Sequence, residues 1–236
     1  MWIMKPGRGI MPGFWLARMC MAAMCASAPA AQVVTLPLRR LGYRMTGVDL
    51  SRDMLSQAAQ KARDAGLEIP FVCQDMCHMQ LHRRQDAILC SCDGVNFLTT
   101  PDRARRFFRA AYAQLKPGGA LIFDVSTPEK LSGTLGDHTL GCQEEDISYI
   151  WQNAYHPRTR TVDMRLSIFV GDTDGRYQRL EETQTQRAHT LEELTKYLAE
   201  AGFADIRAYG KLALRAPRPG DERWHIRAIR PKENAK

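Results

Sequence analysis

From Val34 onward the apolar positions fall into regular periods that switch between helical and strand spacing. Thr35 to Leu41 predicts the end of a helix closed by Gly42, and Tyr43 to Val48 predicts a strand. Ser51 to Ala65 predicts a helix, with Met54, Leu55, Ala58, Ala62 and Ala65 at helical spacing and Gly66 as its stop. Ile69 to Cys73 is a short strand, and Asp86 to Cys92 is a nearly continuous apolar run of the kind buried on both faces of a parallel sheet. A helix from about Asp102 to Leu115 turns Phe107, Phe108, Ala111 and Leu115 inward and ends at Lys116-Pro117-Gly118-Gly119, before a strand at Ala120 to Val125. Strands alternating with helices predict an α/β fold with a doubly wound, mostly parallel sheet.

Past Thr127 the pattern changes. Tyr149 to Tyr155, Thr161 to Val170 and Tyr177 to Arg187 partly alternate, joined by turns at His156-Pro157-Arg158 and Asp172-Thr173-Asp174-Gly175. This predicts an antiparallel β-meander inserted at 131–187, between core segments 34–130 and 188–231. Thr190 to Ala201 is a helix opened by a capping box, Thr190 with Glu193, and closed by Gly202. Phe203 to Tyr209 and His225 to Ala228 form a terminal strand pair, and Lys232 to Lys236 a frayed tail.

Residues 1–33 share none of this regularity. Lys5 and Arg8, then Phe14 to Met24, then Ala26 to Ala30 imitate a secretory signal, yet Arg18 interrupts the apolar run. A shifted reading frame or misassigned start accounts best for the abrupt change of pattern. Composition adds limits: 44% hydrophobic and 25% charged residues suit an ordinary globular chain, without membrane association. The net charge of +7 comes from scattered pairs such as Arg39-Arg40, Arg83-Arg84 and Arg105-Arg106, which reads as a solvated basic surface and disfavours a nucleic-acid partner. Seven cysteines suit neither a disulfide framework nor a zinc site and fit the reducing cytoplasm. Cys73, Cys77, His78 and His82 would be scattered by a strand-to-loop path, so no metal is expected, and Cys90 and Cys92 fall on one face of a strand as small buried hydrophobes.

One carboxylate stands out. Asp49 ends an apolar run just before Ser51, which caps the next helix, with Asp53 in its first turn. An acid at the carboxyl end of such a strand points into the crevice where nucleotide-like ligands lie and can accept from both ribose hydroxyls.

With these elements placed, the chain from about Leu41 to its end resembles the class I S-adenosylmethionine-dependent methyltransferases. The resemblance is carried by Gly47-Val48-Asp49-Leu50-Ser51 with Met54 and Leu55, by Cys73-Gln74-Asp75-Met76, and by Cys92-Asp93-Gly94-Val95-Asn96-Phe97. Leu115-Lys116-Pro117-Gly118-Gly119 and Ala201-Gly202-Phe203 complete it. It implies that Asp49 meets the ribose, that the adjoining Leu50 contacts the cofactor, that Asp75 and the backbone of Met76 meet the adenine edge, and that Cys90, Ser91, Cys92 and Asp93 line the floor beneath the methionine moiety. Met54 either packs near the adenine or simply fills the core. Asp93 and Asn96 are the candidates for positioning the acceptor, a small molecule, in a monomer or homodimer.

Tyr149, Trp151 and Tyr155 either line an acceptor pocket under the meander or fill the meander's own core; Arg187 and His189 are candidates for the pocket's polar edge. His189, beside a helix cap, is expected at the surface.

The family's glycine loop has no counterpart. Cys25 to Gln32 contains no glycine and one proline, so the loop and the central first strand are expected to be lost. That leaves two alternatives to a working methyltransferase: a dinucleotide oxidoreductase, against which the Asp75-Met76 step and the Lys-Pro-Gly-Gly turn stand, and a non-catalytic binding protein of the same fold.

Overall fold

The computed structural model describes residues 34–144, 147–172, 174–210 and 214–232, with the backbone alone of Ala23–Ser27. Strand β1 (Ala23–Ser27) is followed by α1 (Leu36–Arg40), β2 (Arg44–Asp49), α2 (Arg52–Asp64), β3 (Phe71–Cys73), β4 (Gln85–Cys90), α3 (Pro101–Gln114) and β5 (Leu115–Ser126). Then come β6 (Thr139–Gln143), β7 (Ile147–His156), β8 (Thr161–Gly171), β9 (Tyr177–Arg187), α4 (Leu191–Glu200), β10 (Ala204–Gly210) and β11 (Arg223–Ile229). The main sheet runs β10-β11-β5-β4-β1-β2-β3. Its five strands from β5 to β3 are parallel, and β11 and β10 add antiparallel at one edge.

The expected loss of the first strand is corrected here. β1 pairs in parallel with β2 from Ala23↔Arg44 to Ser27↔Val48 and with β4 from Met24↔Ala87 to Ala26↔Leu89. A strand with neighbours on both sides is held by its ladder of backbone hydrogen bonds, which any proline-free segment can make whatever its side-chain pattern. The glycine-free stretch Ala28 to Gln32, and the signal-like and frame-shift readings of the segment before β1, lie outside the described residues.

Helices α3 and α4 cover one face of the sheet. Phe107, Phe108 and Ala111 of α3 and Leu194 and Leu198 of α4 bury against Leu121, Phe123 and Ile226. Thr100 caps α3, accepting from the N–H of Arg103, and Pro101 supplies the pre-set first turn. The capping box of α4 forms as expected, and Gly202 follows at φ +100°, a conformation that costs a side-chain-bearing residue. On the opposite face Leu38 packs with Met45, Ala87 and Leu89.

The inserted sheet has four strands, β6-β7-β8-β9, all antiparallel, against the three expected. Gly141 in the middle of β6 dilutes its strand signal. A π-helical turn at Lys130–Leu135 leads into it and was likewise not legible. The sheet has its own small core of Leu131, Leu135, Val162, Met164 and Ala188, onto which Leu140, Trp151 and Tyr155 pack.

Two buried polar residues join this sheet to the first. Asn96 lies in the 3-10 turn Gly94–Phe97 that follows β4. Its amide donates to the carbonyls of Ser126 (3.1 Å) and Arg187 (2.9 Å) and accepts from the N–H of Ser126 (2.9 Å), tying the end of β5 to the end of β9. Two residues beyond Arg187, His189 is wholly buried, not at the surface as expected. The link between β9 and α4 is drawn inward by the bond from Ala188 N–H to Arg160 O (2.8 Å) and by the Arg187–Glu193 pair (3.0 Å). Burial, with the Arg187 guanidinium nearby, pushes the imidazole down to a pKa of about 4 from an ordinary 6.5.

The unfolded chain therefore takes up a proton that the buried ring refuses. The contribution of His189 to stability is complete above pH 6.5 and is lost as pH falls toward 4, by about 3 kcal/mol in all. Urea unfolding at pH 7.5, 5.5 and 4.5 should show this loss, and His189→Leu should flatten it over that window. Asn96→Ala, which strands three buried backbone groups, should lower stability by about 3 kcal/mol with an unchanged m-value.

Candidate active site

All the parallel strands finish on one edge of the sheet, and the chain runs outward through β1, β2 and β3 before returning to β4. The crevice between β1 and β4 is therefore the switch point at which open α/β sheets take their ligands. With strands about 4.8 Å apart, the end of β2 stands about 10 Å from the end of β4.

On the β2 side, Asp49 Oδ1 accepts from the N–H of Ser51 (2.6 Å), while Ser51 Oγ accepts from Met54 N–H (3.3 Å) and caps α2. Ser51 thus caps the helix as expected, and the Asp49 carboxylate braces the cap residue through its backbone N–H. Leu50, beside Asp49, is 68% exposed at the crevice edge. Met54 is half-buried in the first turn of α2. Asp75 follows β3 and accepts from Cys77 N–H (2.9 Å), capping the turn Met76–His78, with Arg103 at 3.5 Å. Met76 is half-buried at the border of the main core.

On the β4 side, the strand stops at Cys90, two residues earlier than expected, because Cys92 and Asp93 adopt left-handed conformations (φ 61° and 62°). Cys90 and Cys92 therefore do not share a strand face; Cys90 is buried and Cys92 only partly so. Two successive non-glycine residues in this region store strain, a feature of functional turns. The Ser91 hydroxyl is buried without a hydrogen-bond partner. Burial, with Asp124 nearby, pushes the Cys92 thiol above its ordinary pKa.

This turn delivers Asp93 to a buried ionic cluster absent from the sequence reading. Arg223 opens β11 opposite Ser126 of β5, so its side chain shares a face with Ser126 and, diagonally, with Asp124. Its guanidinium holds Asp93 at both oxygens (2.7 and 3.0 Å) and also bonds Asp124. Ser126 Oγ donates to Asp93 Oδ1 (3.0 Å) and accepts from Lys130 Nζ (3.1 Å). Burial raises the Asp124 carboxyl above its ordinary pKa despite Arg223, and lowers that of the Lys130 amine. One signal was available: Asp124 and Ser126 break the apolar run of β5 at its carboxyl end, as Asp49 does in β2.

Asn96 sits beside this cluster with its amide engaged by backbone. Arg187 and His189 lie buried at the junction of the sheets, and Trp151 and Tyr155 lie in the meander's core; Tyr149 is half-buried on β7. Cys73 is exposed and Cys77 buried, and among the described residues no group of three His, Cys, Asp or Glu side chains is placed to hold a metal ion.

Comparison with known proteins agrees with this geometry. The family model described as a methyltransferase domain matches residues 31–119. YqeM of Bacillus subtilis (strain 168), whose name assigns it provisionally as a methyltransferase, is 34% identical over 200 residues, 84% of this chain and 80% of that protein. An S-adenosylmethionine-dependent methyltransferase from Clostridium acetobutylicum superposes with a TM-score of 0.83 at 28% identity, over 89% of this chain and 84% of that one. CalS10 of Micromonospora echinaspora, an amino pentose methyltransferase with S-adenosylmethionine bound, shares the fold (TM-score 0.69, 22% identity, 91% of this chain and 86% of that one).

The described edge fits that cofactor: an oriented carboxylate for a diol, an uncovered leucine for an apolar ring face, and a buried hydroxyl lacking a partner where the methionine arm would lie. The chain belongs to the class I S-adenosylmethionine-dependent methyltransferases and has S-adenosylmethionine as its cofactor.

Proposed function

We propose that the enzyme methylates a small molecule bound at the carboxyl edge of β4 and β5, with residues 131–187 forming a lid over it. The observation that carries this reading is the ionic cluster of Asp93, Asp124, Arg223 and Lys130. It is built at one end of the crevice, while the nucleoside-type residues Asp49 and Leu50 stand two strands away. A strained turn at Cys92-Asp93 and a π-helical turn at Lys130 flank it, and both features gather at functional sites.

In this reading Asp49 accepts the ribose hydroxyls and Leu50 and Met54 cover the adenine. Asp75 and the Met76 backbone take the adenine's polar edge, and Cys90, Ser91 and Cys92 floor the methionine arm. When bound, the cofactor supplies a methyl carbon already activated on a sulfonium. The protein's task is then to align the acceptor with that carbon and to exclude water. Asp93 faces the acceptor side, and Asn96 acts by fixing Ser126 and the end of the meander.

The small-molecule class is supported by the fold shared with CalS10, whose acceptor is an amino pentose. Three of the four arginines of α3, Arg103, Arg105 and Arg106, pair with Asp75, Glu200 and Asp102, which argues against a nucleic-acid surface there. No helix among the described residues is long and apolar enough to cross a membrane. The reading places the enzyme in the cytoplasm, as a monomer or homodimer.

Calorimetric titration with S-adenosylhomocysteine tests the site. The full chain should bind it with a Kd in the micromolar range, and Asp49→Ala should weaken binding at least about 30-fold, the loss of charge-assisted hydrogen bonds worth about 2 kcal/mol. Equal affinity in the variant would remove Asp49 from the cofactor site.

A further inference from the structure

Lys130 is the one cation of the cluster that is not locked between carboxylates. Its side-chain hydrogen bond goes to Ser126 Oγ (3.1 Å), and that hydroxyl passes its own proton to Asp93 Oδ1 (3.0 Å). Asp93 is a poor base for a reaction at this edge, because Arg223 already holds both of its oxygens. The Lys130 amine is attached four residues beyond β5, at the start of the π-helical turn, on a half-buried residue. A serine that accepts from the amine and donates to a fixed carboxylate holds that amine in one orientation.

We propose that Lys130 is the proton acceptor of the methyl transfer, oriented by Ser126 and Asp93, and that the methyl acceptor is an amine. The proposal rests on the reading of this edge as the transfer site. The groups that face Lys130 are Asp93, Arg223, Glu222 and Asp124, and Glu222 is itself engaged by Thr134 Oγ1 (2.8 Å). Among these influences burial dominates and lowers the amine's pKa. An amine base can deprotonate an alkylammonium far more readily than an aliphatic alcohol, whose pKa lies well above that of any ammonium.

The step balances as follows. The acceptor ammonium gives one proton to neutral Lys130 Nζ. The freed nitrogen lone pair forms the N–C bond to the methyl carbon while the C–S bond breaks and its electron pair stays on sulfur. The products are a methylated ammonium, a thioether and protonated Lys130, which returns its proton to water.

Two measurements on the full chain test this. Trace acetylation with acetic anhydride from pH 7 to 11, in saturating S-adenosylhomocysteine and read by peptide mass spectrometry, should show Lys130 deprotonating below the ordinary lysine range. Methyl transfer to a panel of primary amines from ethylamine to glucosamine, followed by S-adenosylhomocysteine release, should detect at least one substrate. With that substrate Lys130→Arg, which keeps the charge and the bond to Ser126, should lose more than 100-fold in kcat and the rise in rate with pH, while cofactor affinity stays unchanged. Lys130→Gln should lose as much. Lys130 titrating in the ordinary lysine range, an active Lys130→Arg, or no transfer to any amine by a chain that binds S-adenosylhomocysteine would overturn the proposal. A chain that fails to bind S-adenosylhomocysteine at all would instead overturn the cofactor-site reading beneath it.

Discussion

The guanidinium of Arg223 holds together the end of the molecule where the chemistry belongs. Two carboxylates, Asp93 and Asp124, arrive there buried from adjacent strands, and without a cation between them they would repel in a medium that screens poorly. Removing one member of such a group is far more damaging than replacing the whole by apolar side chains, typically by about 3 to 5 kcal/mol. Arg223 can reach both acids only because β11 enters antiparallel beside β5, with Arg223 opposite Ser126. The terminal strand pair thus builds this cluster and is not merely an edge of the sheet. The left-handed backbone at Cys92 and Asp93 is held in place by the same ion pair, since that turn carries the carboxylate to the arginine.

Around this anchor the second sheet is fixed both by hydrogen bonds and by the apolar packing of Leu131, Leu135 and Ala188 with Val162 and Met164. Asn96 reaches from the turn after β4 to the ends of β5 and β9, and Arg187, whose carbonyl it holds, pairs through its side chain with the Glu193 that completes the cap of α4. A small set of directional contacts thereby couples the meander, the last helix and the ionic cluster. The meander's aromatic residues Trp151 and Tyr155 are occupied with its own core, which stiffens it as one body.

Much of this was legible locally. Ser51 could be placed as the helix cap from its position before α2, and its hydroxyl accepts from Met54 N–H while Asp49 at the end of β2 accepts from the N–H of Ser51. The capping box of Thr190 and Glu193 and the turns at His156-Pro157 and Asp174-Gly175 place α4 and the hairpins of the meander almost to the residue. What escaped depends on partners far apart in sequence. Arg223 and Asp93 are separated by 130 residues, and no local pattern marks a lone arginine at the start of a strand as the keystone of a buried cluster. β1 escaped for the opposite reason: a central strand is secured by backbone pairing to β2 and β4, so its side chains need carry no alternation. His189 was misplaced because proximity to a cap says nothing about the covering chain, which packs the imidazole fully inside.

The account's central claim is that the carboxyl edge from Asp49 to the Arg223 cluster is one continuous site, with the cofactor's nucleoside at β2 and its sulfur at β4. A crystal structure of the full chain with S-adenosylhomocysteine tests it directly. The account predicts the ribose on Asp49, the adenine beside Leu50 and Asp75, and the sulfur above the Cys90–Asp93 turn, facing the side where Lys130 and Asp93 stand. A ligand seated elsewhere, or one whose sulfur points away from the cluster, would contradict it.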